Sequence, residues 1–155
     1  MKTDYQKICA SLLKGLSQRT ADILEKRFGL KKGDKETLEA IGEGYGITRE
    51  RVRQIVEEGL AKIQPKIKEY KDVFQTLEEF LKLSGDLKKE AVLLDELGER
   101  KFQNQVYFLM SLDKDLERVG EDDSFYSFWT RKKEAVSSAK KAIGLVLKEF
   151  HSSNR

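Results

Sequence analysis

Residues 37–63, with the sequence TLEAIGEGYGITRERVRQIVEEGLAKI, contain the clearest structural pattern in the first part of the chain. Their apolar side chains recur at helical spacing, and the glycine-flanked turn GYG at 44–46 interrupts the pattern. Gly42 lets two helices approach closely, and Gly46 lies in a turn where glycine tolerates a positive φ best. The stretch therefore predicts a helix-turn-helix, in which a short helix, a tight turn and a second, crossing helix follow one another.

The second helix is predicted to begin at Thr48 as its N-cap and to bury its apolar side. Arginine can pair with guanine, glutamine with adenine, and glutamate can accept from the cytosine amino group. Because a recognition helix inserts its first turns into the major groove, the polar residues of those turns are candidates for base contacts. The alternative is a solvent-exposed face on which Arg53 and Glu57 form an ion pair. The predicted outward face consists of Arg49, Glu50, Arg53, Gln54 and Glu57.

Helical patterns also precede and follow this stretch. Apolar spacing predicts helices over residues 5–16 and 18–28, the second with Ser17 as its N-cap and Gly29 at its end. Pro65 allows a new helix to start, and residues 67–81 form an amphipathic pattern. We therefore expect an N-terminal helix-turn-helix domain at 1–64 and a helical connector at 65–74.

The remainder of the chain has a different pattern. Residues 92–97 and 104–112 predict helices, and the partial alternation over 116–129 around a turn-rich centre predicts a β-hairpin. Helices followed by a hairpin suggest a small winged-helix domain at 75–133. We interpret the aromatic residues of the hairpin as core, although they could stack on single-stranded bases.

Residues 134–155 are predicted to form an amphipathic C-terminal helix and a tail, because their apolar residues step by three and four. This helix could pack on its own domain or pair with a second copy in a homodimer. The predicted fold class is therefore mainly α, with an N-terminal helix-turn-helix domain, a small winged-helix domain with one β-hairpin, and a C-terminal helix.

The composition of the chain limits the classes of function that it can have. The 155 residues carry 30 basic and 27 acidic side chains, so the net charge of +3 alone does not indicate nucleic acid. One cysteine and one histidine exclude a disulfide framework or a Cys/His zinc site within a single chain. Catalytic and phosphate-loop motifs are not found, so we expect no enzyme, no cofactor and no metal. Without a long apolar run, we expect a cytoplasmic protein that spans no membrane.

Two stretches together, LSQRTADILEKRFGL at 16–30 and TLEAIGEGYGITRERVRQI at 37–55, resemble region four of bacterial sigma factors. That region is the part of the initiation factor that recognises the promoter −35 element. RFGL, TLEAIG and GITRERVRQI are specific in combination. The resemblance implies a DNA-binding helix-turn-helix that acts with RNA polymerase.

Carried over position by position, the resemblance assigns roles to single residues. Arg49, Glu50 and Gln54 would contact −35 bases, and Arg51 and Arg53 would contact the backbone or flanking bases. The earlier helices would meet the flap of the polymerase β subunit. The residues implied in that contact are Leu24, Phe28 and Leu30. The implied DNA-binding set is Thr48, Arg49, Glu50, Arg51, Arg53 and Gln54.

The chain also departs from the family. Members of the family usually carry several lysines or arginines in the turns after RVRQI, whereas Lys62 alone is basic here, beside Glu57 and Glu58. Fewer phosphate contacts weaken non-specific binding and lower its salt dependence. Nothing in the remaining sequence resembles the sigma segment that grips the polymerase clamp and melts the −10 element. The resemblance therefore implies that the protein does not initiate transcription alone.

Residues 75–130 resemble the winged-helix modules called HARE-HTH, found in the polymerase delta subunit and in chromatin-associated proteins. The matching stretches are FQTLEEFLKLSG, FQNQVYFLMSL and FYSFWT. The resemblance implies a second recognition helix that begins at Gln103, Asn104 and Gln105, with basic residues beside the wing. Those basic residues are Arg118, Arg131, Lys132 and Lys133.

Three hypotheses follow. The first is a transcription factor that binds duplex DNA sequence-specifically through the helix from Arg49. The second is an adaptor that docks on RNA polymerase or another protein, with DNA binding incidental. The third is bivalent DNA binding by both domains, with the acidic middle of the chain as a spacer.

Overall fold

A computed structural model describes residues 3–31, 33–120 and 127–131. The predicted C-terminal helix and tail lie outside these residues. Helices dominate, and a small antiparallel sheet follows them, so the predicted mainly α fold class is confirmed. The elements are α1 (Tyr5–Leu13), α2 (Gln18–Phe28), α3 (Leu38–Tyr45), α4 (Arg49–Ile63), a 3₁₀ helix (Gln64–Tyr70), α5 (Lys71–Leu83), β1 (Leu87–Lys89), α6 (Glu90–Gly98), α7 (Gln103–Leu112), β2 (Glu117–Val119) and β3 (Phe128–Thr130).

Side-chain caps define where the N-terminal helices begin. The Ser17 hydroxyl accepts from the Thr20 amide at 3.2 Å, and the Thr48 hydroxyl accepts from the Arg51 amide at 3.1 Å. Gly29 and Gly46 end α2 and α3 in the left-handed conformation, with φ of 63° and 66°. The predicted caps at Ser17 and Thr48 and the glycine turn at 46 are therefore confirmed.

The helix-turn-helix packs through small residues. A Cβ at Gly42 would lie 2.6 Å from the backbone oxygen of Ile47, so α3 runs directly against the turn that leads into α4. A Cβ at Gly59 would lie 3.0 Å from the Leu24 side chain, so α4 also crosses close to α2. The buried residues of α4 are those that its apolar pattern predicts: Val52, Ile55, Val56, Gly59 and Ile63.

The C-terminal half follows the order helix, strand, helix, helix, strand, strand. β2 and β3 pair antiparallel with Arg118 opposite Trp129, which confirms the predicted hairpin. β1 pairs with the other edge of β3, so the sheet order is β1-β3-β2. The sequence does not predict β1, because three residues are too few to show an alternating pattern.

One hydrophobic core crosses the predicted domain boundaries. Buried residues of α1, α2 and α4 belong to the same cluster as those of α5, α6 and α7. Phe28 of α2 meets Phe108 of α7 edge-to-face, with ring centroids 5.0 Å apart. The division into domains stays a prediction, and the described residues pack around a common core. None of their helices has both the length and the apolar character that a bilayer crossing needs.

Candidate nucleic-acid interface

The first turns of α4 present the predicted recognition face to solvent. The Thr48 cap and the Gly46 turn set the direction in which α4 leaves α3. With the apolar side of α4 packed inward, its polar side chains project together from one face. The exposed residues of this face are Thr48, Arg49, Glu50, Arg51, Arg53 and Gln54.

Each arginine of this face has a nearby carboxylate. Arg53 donates to Glu50 and to Glu57, with N···O distances of 2.5 Å in both pairs. The predicted Arg53–Glu57 ion pair therefore exists.

The other two arginines are held more loosely. Arg49 Nη1 lies 3.4 Å from the carboxylate of Glu39 on α3. Arg51 donates to Gln54 Oε1 at 3.3 Å and lies 3.9 Å from Glu58. The face therefore offers donors and acceptors side by side with its charges largely matched.

The electrostatics of Arg53 follow from these contacts. The hydrogen bond from Arg53 lowers the pKa of Glu50, and Glu50 in turn raises the pKa of Arg53. Both side chains are exposed, so water and salt screen their attraction. These ion pairs orient the side chains but are weak enough for the side chains to exchange partners.

A second polar contact ties α2 to α3. The Tyr45 hydroxyl donates to Asp22 Oδ2, which lowers the pKa of Asp22 and raises the pKa of Tyr45 to about 12. Arg19 and Lys26 lie over the Tyr45 ring, 5.4 and 5.2 Å from its centroid. The sequence does not single out Asp22, because only the fold brings α2 against Tyr45.

A groove beside α4 joins the two halves of the chain. It has a volume of about 360 Å³ and is lined by residues of α2, α4 and α7, among them Arg27, Arg53 and Tyr107. Lys35 also lines it, with Nζ 3.4 Å from the centroid of the Tyr107 ring. Sequence reasoning missed this basic flank, because α7 reaches it only through tertiary packing.

The start of α7 does not lie free for DNA, which corrects the prediction of a second recognition helix. Asn104 Nδ2 donates to the carbonyls of Gly29 and Gly33, at 3.1 and 2.5 Å. Gln105 is buried, and its Nε2 donates to the Leu30 carbonyl at 3.0 Å. These amides satisfy carbonyls after α2, so their hydrogen bonds join the two halves. Gln103 is half-buried beside them.

The predicted flap-contacting residues are also covered. Leu24, Phe28 and Leu30 are buried, and Phe28 packs on α7. A partner could reach these side chains only if the packing around them opened, and the flap contact stays a prediction.

The basic residues beside the wing have partners where the structure describes them. Arg118 Nε donates to Glu90 at 2.5 Å, and Arg131 Nε donates to Asp86 at 2.6 Å. Lys132 and Lys133 lie outside the described residues. Phe128 and Trp129 are buried, so the interpretation of these two aromatics as core is confirmed. Phe125 and Tyr126 lie outside the described part of the chain.

A short helix, a glycine turn and a crossing helix with an exposed polar face define a helix-turn-helix protein. Residues 12–64 match the family model for sigma-70, region 4. This segment of the chain is therefore similar to sigma-70 region 4, and the resemblance to sigma region four is confirmed. The match does not extend to residues 75–130, and their resemblance to HARE-HTH modules stays a prediction.

Individual sigma factors are similar to the same part of the chain. RNA polymerase sigma factor SigA of Nostoc sp. is 41% identical over 64 residues, which are 41% of this chain and 15% of that protein. RNA polymerase sigma factor RpoD of Neisseria gonorrhoeae is 36% identical over 64 residues, or 10% of its length. SigA1 of Synechococcus elongatus is 45% identical over 53 residues, or 13% of its length. The chain thus spans only a small fraction of these relatives.

Proposed function

We propose that this protein is a transcription factor that binds duplex DNA sequence-specifically through α4 and acts with RNA polymerase. The observation that carries the proposal is the exposed polar face at the start of α4, within the segment that matches sigma-70 region 4. Arg49, Glu50 and Gln54 supply the donors and acceptors that base edges in the major groove require. Arg51 and Arg53 would contact the phosphate backbone or flanking bases.

The ion pairs on α4 do not prevent this role. An exposed ion pair contributes about 0–1 kcal/mol, whereas a bidentate contact between arginine and guanine discriminates by about 1–3 kcal/mol. An arginine that leaves a glutamate for a base therefore gains more than it loses. Glu57 and Glu58 repel nearby phosphates, so we expect binding that relies on base contacts more than on counterion release.

Arg49→Ala is the direct test. We expect this substitution to weaken binding to the selected site by about 1–3 kcal/mol and to relax specificity at one base position. Lys62→Ala should instead weaken binding to all duplexes similarly and reduce the salt slope by about 1. Selection of duplexes from a random pool would identify the preferred site. Fluorescence anisotropy across a salt series would then measure the affinity and the salt slope of each variant.

Lys82→Ala, on the exposed side of α5, provides the control and should change neither property. The base-contact assignment is wrong if Arg49→Ala leaves the affinity and the selected motif unchanged.

A second candidate function is a protein-interaction adaptor that docks on RNA polymerase or another partner, with DNA binding incidental. The matched charges of α4 favour it, because every arginine of that face already has a carboxylate within 4.0 Å. Purified protein that enriches no duplex motif yet captures the β subunit would support this function over the first.

A further inference from the structure

Three carboxylates meet in the C-terminal half, away from the helix-turn-helix. Glu78 lies on α5, and Asp113 and Asp115 lie in the segment between α7 and β2. One oxygen atom from each side chain lies within 4.8 Å of the other two. Three acidic groups this close repel one another unless a positive charge or a proton lies between them.

Asp113 is the unusual member of the cluster. Its side chain is 7% exposed, and its Oδ1 accepts from the Asp115 amide at 2.9 Å. Its Oδ2 is buried and receives no hydrogen bond from any group in the described part of the chain. A buried carboxylate oxygen without a partner is costly, so this atom needs either a proton shared with the neighbouring Glu78 carboxyl or a bound cation.

The space beside the three carboxylates is large enough for a ligand. A cavity of about 540 Å³ opens beside the carboxylates. Lys68 and Lys71 also line this cavity. Arg131 also acts on Glu78 through its charge, but its guanidinium donates to Asp86.

We propose that Glu78, Asp113 and Asp115 bind a hard divalent cation of the Ca²⁺ or Mg²⁺ class. Carboxylate oxygens are the preferred ligands of both ions. Ca²⁺ binds oxygen at about 2.3–2.6 Å, so ligands on opposite sides of it lie about 4.6–5.2 Å apart, which accommodates the observed spread. Mg²⁺ binds at about 2.0–2.1 Å and would need the oxygens to move closer. The ion would join α5 to the segment after α7 and give Asp113 Oδ2 its partner.

Thermal unfolding of the full chain tests the proposal. The unfolding of chelator-treated protein at about pH 8 is compared with and without CaCl₂ or MgCl₂. We expect Tm to rise by roughly 5–10 °C when the ion reaches one hundred times its Kd, with titration calorimetry giving that Kd. A Ca²⁺ site and an Mg²⁺ site are distinguished by which ion binds more tightly.

Glu78→Gln should abolish the rise in Tm and the binding heat. Its amide can donate to Asp113 Oδ2, so without added ion this variant should unfold no earlier than the wild type, which separates lost binding from lost folding. Glu79→Gln removes the adjacent, exposed carboxylate outside the cluster and should keep the full rise. The proposal is overturned if neither ion raises Tm, if Glu78→Gln keeps the rise, or if Tm responds only to acidification.

Discussion

Replacing Phe108 by alanine is expected to lower the free energy of unfolding by about 3–5 kcal/mol, the usual cost of removing a buried phenylalanine. Its side chain is fully buried in α7 and meets Phe28 of α2 edge-to-face. The cavity would therefore open between the C-terminal half and the segment that matches sigma-70 region 4. We expect the helix-turn-helix to lose stability together with α7.

Urea unfolding followed by circular dichroism and by Trp129 fluorescence would measure this effect, with amide hydrogen exchange reporting on α4. The two optical transitions should coincide, and protection in α4 should fall along with the global stability. Leu83→Ala is the control, because Leu83 is 89% exposed and its loss should change stability by less than about 0.5 kcal/mol. Undiminished protection in α4 would mean that the two halves unfold independently.

The features of the fold that depend on residues close together in sequence could be predicted. The caps at Ser17 and Thr48 and the left-handed turn at Gly46 need only local hydrogen bonds and glycine's freedom at positive φ. The ends of the helices were predicted less exactly than the caps. The helix predicted over 67–81 begins at Lys71, because the residues after Pro65 form a 3₁₀ helix. α1 ends at Leu13 rather than near residue 16.

The packing between the halves could not be predicted, because it joins residues far apart in sequence. Gln105 and Asn104 at the start of a helix have the same pattern whether they face DNA or satisfy carbonyls after α2. The exposed face of α4 was predictable from periodicity alone. The ion pair between Arg49 and Glu39 could not be predicted, because it depends on how α3 and α4 cross.

This packing has a consequence for partner binding. The region of α2 implied in polymerase contact and the region of α7 implied in DNA contact cover each other, through Phe28, Phe108 and the Asn104 amide. Neither surface is available while the core is closed. The first turns of α4 remain exposed in this packing, and the proposed DNA contacts rest on them.

Gly42→Ala is expected to destabilise the helix-turn-helix by about 1–3 kcal/mol, the cost of adding atoms to a tightly packed position. The new Cβ would lie 2.6 Å from the Ile47 backbone oxygen, which cannot rotate away as a side chain could. Relief requires α3 to move from the turn that precedes Thr48. Because α4 is directed by that turn, we expect weaker duplex binding as well as a lower Tm.

Gly44→Ala, two residues along the same helix, is the matched control. A Cβ there meets no atom within 4 Å, and Gly44 has no positive φ. Alanine should therefore stabilise α3 by about 0.5–1 kcal/mol, since it restricts the unfolded chain and favours helix. The two variants change composition identically, so opposite shifts in Tm would isolate the close approach at Gly42. Equal shifts would mean that α3 does not press on the turn, and the packing that directs α4 would need another explanation.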